Sequence, residues 1–363
     1  MHLPQDEAAL AEIVRAANAP LSLRGGGTRG VEAEGDPLST SAMDGIVLYE
    51  PGAMTMVAQP GTPVARIEEA LAAENQRLAF EPMDHRPLLG TSGTPTIGGV
   101  MSANVSGPRR ISVGAARDFL LGVRFVDGTG QIIKNGGRVM KNVTGYDLVK
   151  LLSGAHGTLG VLSEVSFKTQ PLPETEATLV LRGLSDGDAV AVLARALSSP
   201  FEVSGAAHDP AQGETMLRLE GFAPSVSYRC QALRDHLRID DIDVEGAQES
   251  AARWTAVRDV ETFAKAQGDI WRISCKPSEG PMLAQRSGAQ GVFYDWAGGL
   301  VWLHTEAGYD LRSALGDFGG HATLVRGSGQ PRFQPEPEGV ARLTAGIRAR
   351  FDPRGILNKG LMG

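Results

Sequence analysis

Two stretches carry residue types that point to chemistry: Arg24-Gly25-Gly26-Gly27-Thr28, and the long run from Gly90 to Pro108 centred on Thr96-Ile97-Gly98-Gly99. The first follows Pro20-Leu21-Ser22-Leu23, an alternating run that predicts a short strand. Three successive glycines carry no Cβ, so the backbone can approach a ligand and turn its N–H groups inward. Arg24 adds a cation suited to a pyrophosphate. Alone, such a pentapeptide is as easily a tight surface turn. The second stretch shifts the balance, because its glycines stand just ahead of a short apolar helix whose N-terminus favours the same charge. Two phosphate-grade loops separated by strand–helix–strand patterning suit a large dinucleotide. A nicotinamide-binding βαβ unit is disfavoured: Gly25-Gly26-Gly27 lacks the G-x-G-x-x-G spacing and no helix signal follows at once.

Two further blocks follow in order. One is Lys141-Asn142-Val143-Thr144-Gly145-Tyr146-Asp147-Leu148 with Gly157-Thr158-Leu159-Gly160-Val161-Leu162; the other is the tail Phe351-Asp352-Pro353-Arg354-Gly355-Ile356-Leu357-Asn358. Together the blocks resemble the flavin-binding domain of the vanillyl-alcohol-oxidase, or PCMH, type, shared with FAD-dependent D-lactate and glycolate dehydrogenases. The resemblance spans nearly the whole chain. It implies an α+β fold: a two-subdomain FAD-binding domain over 1–172, an α+β cap over 173–330, and a C-terminal helix and tail, 331–363, returning to the flavin. It implies FAD as cofactor, held by Arg24, Gly25, Gly26, Gly27 and Thr28 and by Thr94, Ile97, Gly98, Gly99 and Ser102. Asn104 and Ser106 would lie towards the ring, Gly160 and Val161 would place main-chain groups beside the cofactor, and Asn358 would approach the ring.

The departures are informative. Many relatives attach FAD through a histidine in or beside the first loop; here that loop ends Thr28-Arg29-Gly30, so non-covalent FAD is expected. His85 reads as plain surface. His156 replaces an acidic residue of catalytic relatives and reads as a structural histidine, and Lys359 stands where the family usually has proline. Metal-dependent relatives carry an HxGDGNxH stretch in the cap, and none occurs among the seven histidines, so no metal is expected. The implied activity is FAD-dependent oxidation of a CH–OH group, glycolate to glyoxylate, as the FAD-binding subunit of a complex with a catalytic FAD subunit and an iron–sulfur subunit. The alternatives are a self-sufficient FAD-dependent oxidoreductase of another 2-hydroxy acid or alcohol, and a non-catalytic assembly subunit.

Bulk properties bound these possibilities. The 363 residues suit about two domains. A net charge of −7 argues against a nucleic-acid partner. Cys230 and Cys275 are too few for an iron–sulfur cluster and read as free thiols in a reducing compartment. The first residues have no signal-peptide pattern, and no stretch nears the ~20 apolar residues of a membrane span. A cytoplasmic chain that meets a membrane only through partners is expected.

These residues need a scaffold. Leu10, Ile13, Val14 and Ala17 predict a helix over 6–17. Thr62 and Pro63 predict an N-cap and first helical position, with Val64, Ile67 and Leu71 on one buried face. Asp127-Gly128-Thr129-Gly130 predicts a hairpin turn. Gln170-Pro171-Leu172-Pro173-Glu174 is the best domain boundary. Beyond it, strands near 176–182, 201–207, 214–221, 270–275, 291–296, 300–305 and 321–326 alternate irregularly with helices at 186–198, 225–238 and 248–265. That order predicts an antiparallel sheet with helices on one face, and a final helix spans 338–350. In the cap, Arg272 is a candidate for a substrate carboxylate. His321 and Arg326 are further weak catalytic candidates, placed on opposite strand faces by alternation.

Overall fold

The computed structural model describes residues 1–138, 145–239 and 241–362, so the Lys141-Asn142-Val143-Thr144 part of the third block lies outside the described residues. The chain divides into two compact units: 1–106 with 114–172 and 335–363, and 107–113 with 173–334.

In the first unit, Leu21–Arg24 pairs in parallel with Asp36–Ser39. A five-stranded antiparallel sheet runs in the order Ile46–Glu50, Thr55–Ala58, Val161–Lys168, Leu120–Val126, Ile132–Gly136. Helix Glu7–Ala16 starts where the Asp6 side chain accepts from the Ala9 N–H at 2.8 Å. Its buried face of Leu10, Ala11 and Val14 joins Leu21, Leu38, Val126 and Val161 in one core. The tail completes that core with Ile356 and Leu357. It runs beside the first strand: Leu21 N–H donates to Ile356 O, and Asn358 N–H donates to Leu21 O. Arg354 clamps the turn after it, donating to the Gly128 and Ala17 carbonyls at 2.9 and 3.1 Å.

Of two local expectations, one changes and one holds. Helix Val64–Ala72 takes Pro63, not Thr62, as its N-cap. The Thr62 hydroxyl is already committed, accepting from Gly45 N–H at 3.0 Å and donating to Gln59 O at 2.8 Å. The turn at 127–130 forms between two paired strands, with Asp127 Oδ1 accepting from the N–H groups of Thr129 and Gln131 at 2.9 Å each.

The second unit is built on an eight-stranded antiparallel sheet ordered Ile242–Glu245, Thr175–Arg182, Glu214–Gly221, Gly205–Asp209, Gly291–Asp295, Leu300–Thr305, Asp269–Ser274, His321–Arg326. Alternation puts Leu179, Leu217, Ala206, Val301 and Ile273 on one face, packed with helices Asp186–Leu197, Ala223–Leu237 and Gly280–Ser287. Helix Ala247–Asp259 is the exception to the one-face expectation. Its Trp254 donates to Thr178 Oγ1 at 2.8 Å and lies under the Arg218 guanidinium at 4.6 Å, and both partners belong to the opposite face. Gly205 makes room there, since a Cβ would meet the indole at 2.7 Å. Strand Ile242–Glu245 was not legible in the sequence, and the strand expected at 201–207 lies at Gly205–Asp209.

Candidate functional site

A cleft with a cavity of about 140 Å³ opens in the first unit. One wall is Arg24 to Thr28, where the chain leaves strand Leu21–Arg24. A second is Gly98, Gly99 and Ser102 of the short helix Ile97–Ser102, and a third is Gly160 and Val161.

The glycines of the first loop do two different jobs. A Cβ on Gly25 would lie 2.3 Å from Thr96 Oγ1, and one on Gly26 would lie 1.7 Å from the Thr94 carbonyl oxygen. These two glycines let the two loops touch. Gly27 is different: its φ is +75° and a Cβ there would meet nothing within 4 Å. Among the described residues, the N–H groups of Gly26, Gly27 and Thr28 find no acceptor within the chain. Unused main-chain donors beside Arg24, in a glycine-lined cleft, fit an anionic diphosphate.

Other sequence-predicted residues fall in less direct positions. Ile97 is fully buried, and its N–H donates to Thr62 O. Thr94 contributes the carbonyl that meets Gly26. Asn104 and Ser106, expected towards the ring, each accept a hydrogen bond from the chain itself. Asn104 Oδ1 accepts from Arg117 N–H and Ser106 Oγ accepts from Ala116 N–H, both at 2.9 Å, so they anchor the start of helix Ala116–Phe119. Asn358 does line the cleft, and both ends of its carboxamide are engaged by the chain. Oδ1 accepts from Leu23 N–H at 2.6 Å, and Nδ2 donates to His156 O at 2.7 Å.

The structure also brings in residues to which sequence reasoning gave no part in the cleft. His85, expected on the surface, is buried and lines the cleft, as does His156, whose φ is +52°. Met83, Val100, Val105 and Leu162 add apolar wall. No local pattern marks His85, which immediately precedes the short helix Arg86–Leu89. Among the described residues, no group of three or more His, Cys, Asp or Glu could hold a metal ion, and no helix is long and apolar enough to cross a membrane.

The cap candidates lie in the second unit. Ser274 pairs with His321 and Arg272 with Thr323, so Arg272 and His321 share the sheet face opposite Trp271 and Ile273. The Arg272 guanidinium carbon lies 5.0 Å from the Trp296 ring centroid. Burial, then the neighbouring charge of Arg110, pushes the Arg272 pKa down to about 10. Burial and the charges of Arg272 and Arg110 also push His321 below its ordinary value. Arg326 is separate from them. Its guanidinium donates to the carbonyls of Phe263 and Gly268 at 3.3 and 3.4 Å and to that of Ala266, fastening a loop.

Residues 1–136 match the family described as FAD binding domain. With the glycine-lined cleft, that match defines the chain as an FAD-binding flavoprotein of the PCMH type, an FAD-dependent oxidoreductase with the mixed α and β fold expected for it. 4-Ethylphenol oxidase from Gulosibacter chungangensis has the same fold, with a TM-score of 0.72 at 13% identity over 99% of this chain and 88% of that one. The glycolate oxidase subunit GlcD of Bacillus subtilis is 36% identical over 127 residues, 35% of this chain and 26% of that protein. The glycolate oxidase subunit GlcE of Escherichia coli K12 is 34% identical over 349 residues, 94% of this chain and 92% of that protein. The chain belongs to the GlcE family of glycolate oxidase subunits.

Proposed function

We propose that this chain is the FAD-binding subunit of a glycolate oxidase, that it holds FAD non-covalently, and that it works with a catalytic flavoprotein subunit and an iron–sulfur subunit. The observation that carries this reading is the cleft, with the free N–H groups of Gly26, Gly27 and Thr28 beside Arg24, in a chain similar over 94% of its length to such a subunit. Bound FAD supplies hydride acceptance and electron release. The chain's own residues bind and shield it. Gly26, Gly27 and Thr28 donate to the diphosphate, Arg24 offsets its charge, and Met83, Val100, Val105 and Leu162 keep water from the walls. Asn358 ties the tail to Leu23 and to the His156 loop, and so fixes two walls at once.

The non-covalent attachment is supported by the first loop, where Thr28 stands in place of the attachment histidine of many relatives. The need for an iron–sulfur partner is supported by the cysteines. Cys230 is buried and Cys275 half-buried, and two thiols do not ligate a cluster that takes four. Membrane contact, on this reading, passes through partners.

The test uses the purified FAD-loaded chain, mixed with glycolate without air, while the flavin band is followed. No bleaching by the chain alone and bleaching once both partner subunits are added supports the reading. Rapid, complete bleaching by the chain alone overturns it in favour of a self-sufficient dehydrogenase.

A further inference from the structure

The helix Glu338–Phe351 presents a face that its own unit leaves uncovered. All its residues are described, and none of the fourteen is fully buried. Its least exposed positions, Ala341, Thr344, Arg348 and Phe351, form one stripe against the rest of the unit. The Phe351 ring lies 6.1 Å from that of Phe125, and Arg348 donates to Met362 O at 2.9 Å. Beside that stripe stand Val340, Leu343 and Ile347, which are 47%, 71% and 39% exposed. Aliphatic side chains at such spacing share one side of a helix, and the surface helix of a monomer turns that side inward.

The pattern continues past the aliphatic residues. Glu336, Val340, Leu343, Ile347 and Arg350 follow one another at spacings of four, three, four and three. That is the seam of a coiled coil, here with an acid at one end and a base at the other. Glu336 and Arg350 are both exposed. Thr344 Oγ1 donates to Glu336 Oε1 at 3.1 Å and holds that carboxylate against the helix. Such a seam complements itself in one direction only. In an antiparallel pair centred on Leu343, that leucine meets Leu343 of the other copy, Val340 meets its Ile347, and Glu336 meets its Arg350. The unlike contacts then occur twice about a two-fold axis. A parallel pair would set Glu336 against Glu336 and Arg350 against Arg350, which is unfavourable. An anionic membrane fits the face less well, because an interfacial helix carries cations around its apolar side and this seam begins with an acid.

We propose that the face formed by Val340, Leu343 and Ile347 docks a second copy of this chain, as an antiparallel helix pair with two-fold symmetry. Three aliphatic side chains from each copy are few beside the roughly 20–30 residues a side of a standard interface, so the pair is reversible, with a Kd on the order of 10 μM. The proposal concerns one helix of the first unit, and it does not depend on which acid the flavoprotein oxidises or on where its electrons go.

Sedimentation equilibrium of the FAD-loaded chain, from about 1 to 200 μM, reads the association directly. The expected result is a monomer–dimer equilibrium. Leu343→Lys should weaken it by about tenfold or more, and Val340→Ser by a smaller factor. Glu336→Lys and Arg350→Glu should each weaken it, because like charges then face each other across the axis. The chain carrying both should recover most of the loss, since each copy again offers opposite charges. These side chains are exposed, so far-UV circular dichroism and flavin content should stay unchanged and confirm folding. A chain that is monomeric at every concentration overturns the proposal. So does a dimer within about twofold of the unaltered one after Leu343→Lys, or a double charge variant no better than either single one. A monomer that loses binding to phosphatidylglycerol–phosphatidylethanolamine vesicles, or to the partner subunits, on Leu343→Lys also overturns it, and gives the face to a membrane or to the complex.

Discussion

Replacing Gly26 by alanine separates the two uses of glycine in the cleft. The new Cβ would start 1.7 Å from Thr94 O and 2.7 Å from Thr94 C, both main-chain atoms. An ordinary carbon–oxygen contact is about 3.3 Å, so the two loops must part by roughly 1.5 Å. No rotamer relieves this, because neither partner is a side chain. The loops are also tied from the other direction, since a Cβ on Gly93 would lie 2.2 Å from Gly26 O. Overpacking of this kind costs about 1–3 kcal/mol, and a backbone-on-backbone clash belongs at the upper end. If that cost falls on the bound geometry, FAD affinity drops on the order of a hundredfold. Gly27→Ala is the control. It meets nothing within 4 Å, and its cost is the strain of φ +75°, about 1–2 kcal/mol. Flavin absorbance per protein after gel filtration, and melting temperature with and without added FAD, read both effects. Far-UV circular dichroism confirms that each variant is folded. The reasoning is refuted if Gly26→Ala binds FAD as tightly as the unaltered chain, or if Gly27→Ala is the more damaging of the two.

Three other outcomes follow from named contacts. Asn358→Leu strands the Leu23 N–H and the His156 carbonyl, and should cost about 2–4 kcal/mol in urea unfolding; Asn358→Ser should recover little, as it reaches neither partner well. Burial raises the Glu7 carboxyl, but hydrogen bonds from Arg124 and Ser163 and the charge of Arg124 outweigh it, so the folded pKa lies below the unfolded one. That contribution is present above the unfolded value and lost as pH falls through the folded value. Glu7→Gln should therefore cost about 1 kcal/mol near neutral pH and progressively less as pH falls through the folded value, and a gap that does not shrink in acid would contradict the assignment. Acid precipitation of the holoprotein should release yellow flavin into the supernatant. Colour left in the pellet would mean a covalent link, with His85 and His156, the imidazoles lining the cleft, as the residues to map first.

The cleft was largely legible because its signals are local. A strand, a run of glycines and a cation sit next to one another in Leu21 to Thr28, and the same holds for Thr96 to Gly99. What the glycines are for was not local. Gly25 and Gly26 are required by Thr94 and Thr96 across the cleft as much as by any ligand, a fact visible only once both loops are placed. Asn358 illustrates the same limit from the far end of the chain. Family pattern placed it beside the cofactor, and no local signal showed that it also bonds Leu23 and His156 across the cleft wall. Thr62 failed as a cap for a competing reason: Gly45 and Gln59 claimed its hydroxyl first. In the second unit, period-two alternation located most strands, but Thr178, Arg218 and Gly205 gave no sign that they prepare a surface for Trp254.

Arg110 marks where sequence reasoning stops for a physical reason. It lies just past Asn104-Val105-Ser106-Gly107-Pro108, inside the half of the sequence that builds the flavin cleft, and nothing in its neighbours distinguishes it from Arg109. Segment 107–113 nevertheless belongs to the second compact unit, where Arg109 meets Glu220 and Arg110 meets Trp296. Arg272 could be proposed from its strand alone, but a single guanidinium on a sheet is commonly no more than a snorkelling side chain. The structure sets it against an indole that two hydrogen bonds fix and that a second guanidinium, delivered from far away in sequence, also meets. That gathering is a property of assembled neighbours: Arg110, Arg272 and Trp296 are distant in sequence and share no local pattern, so only the folded unit brings them together.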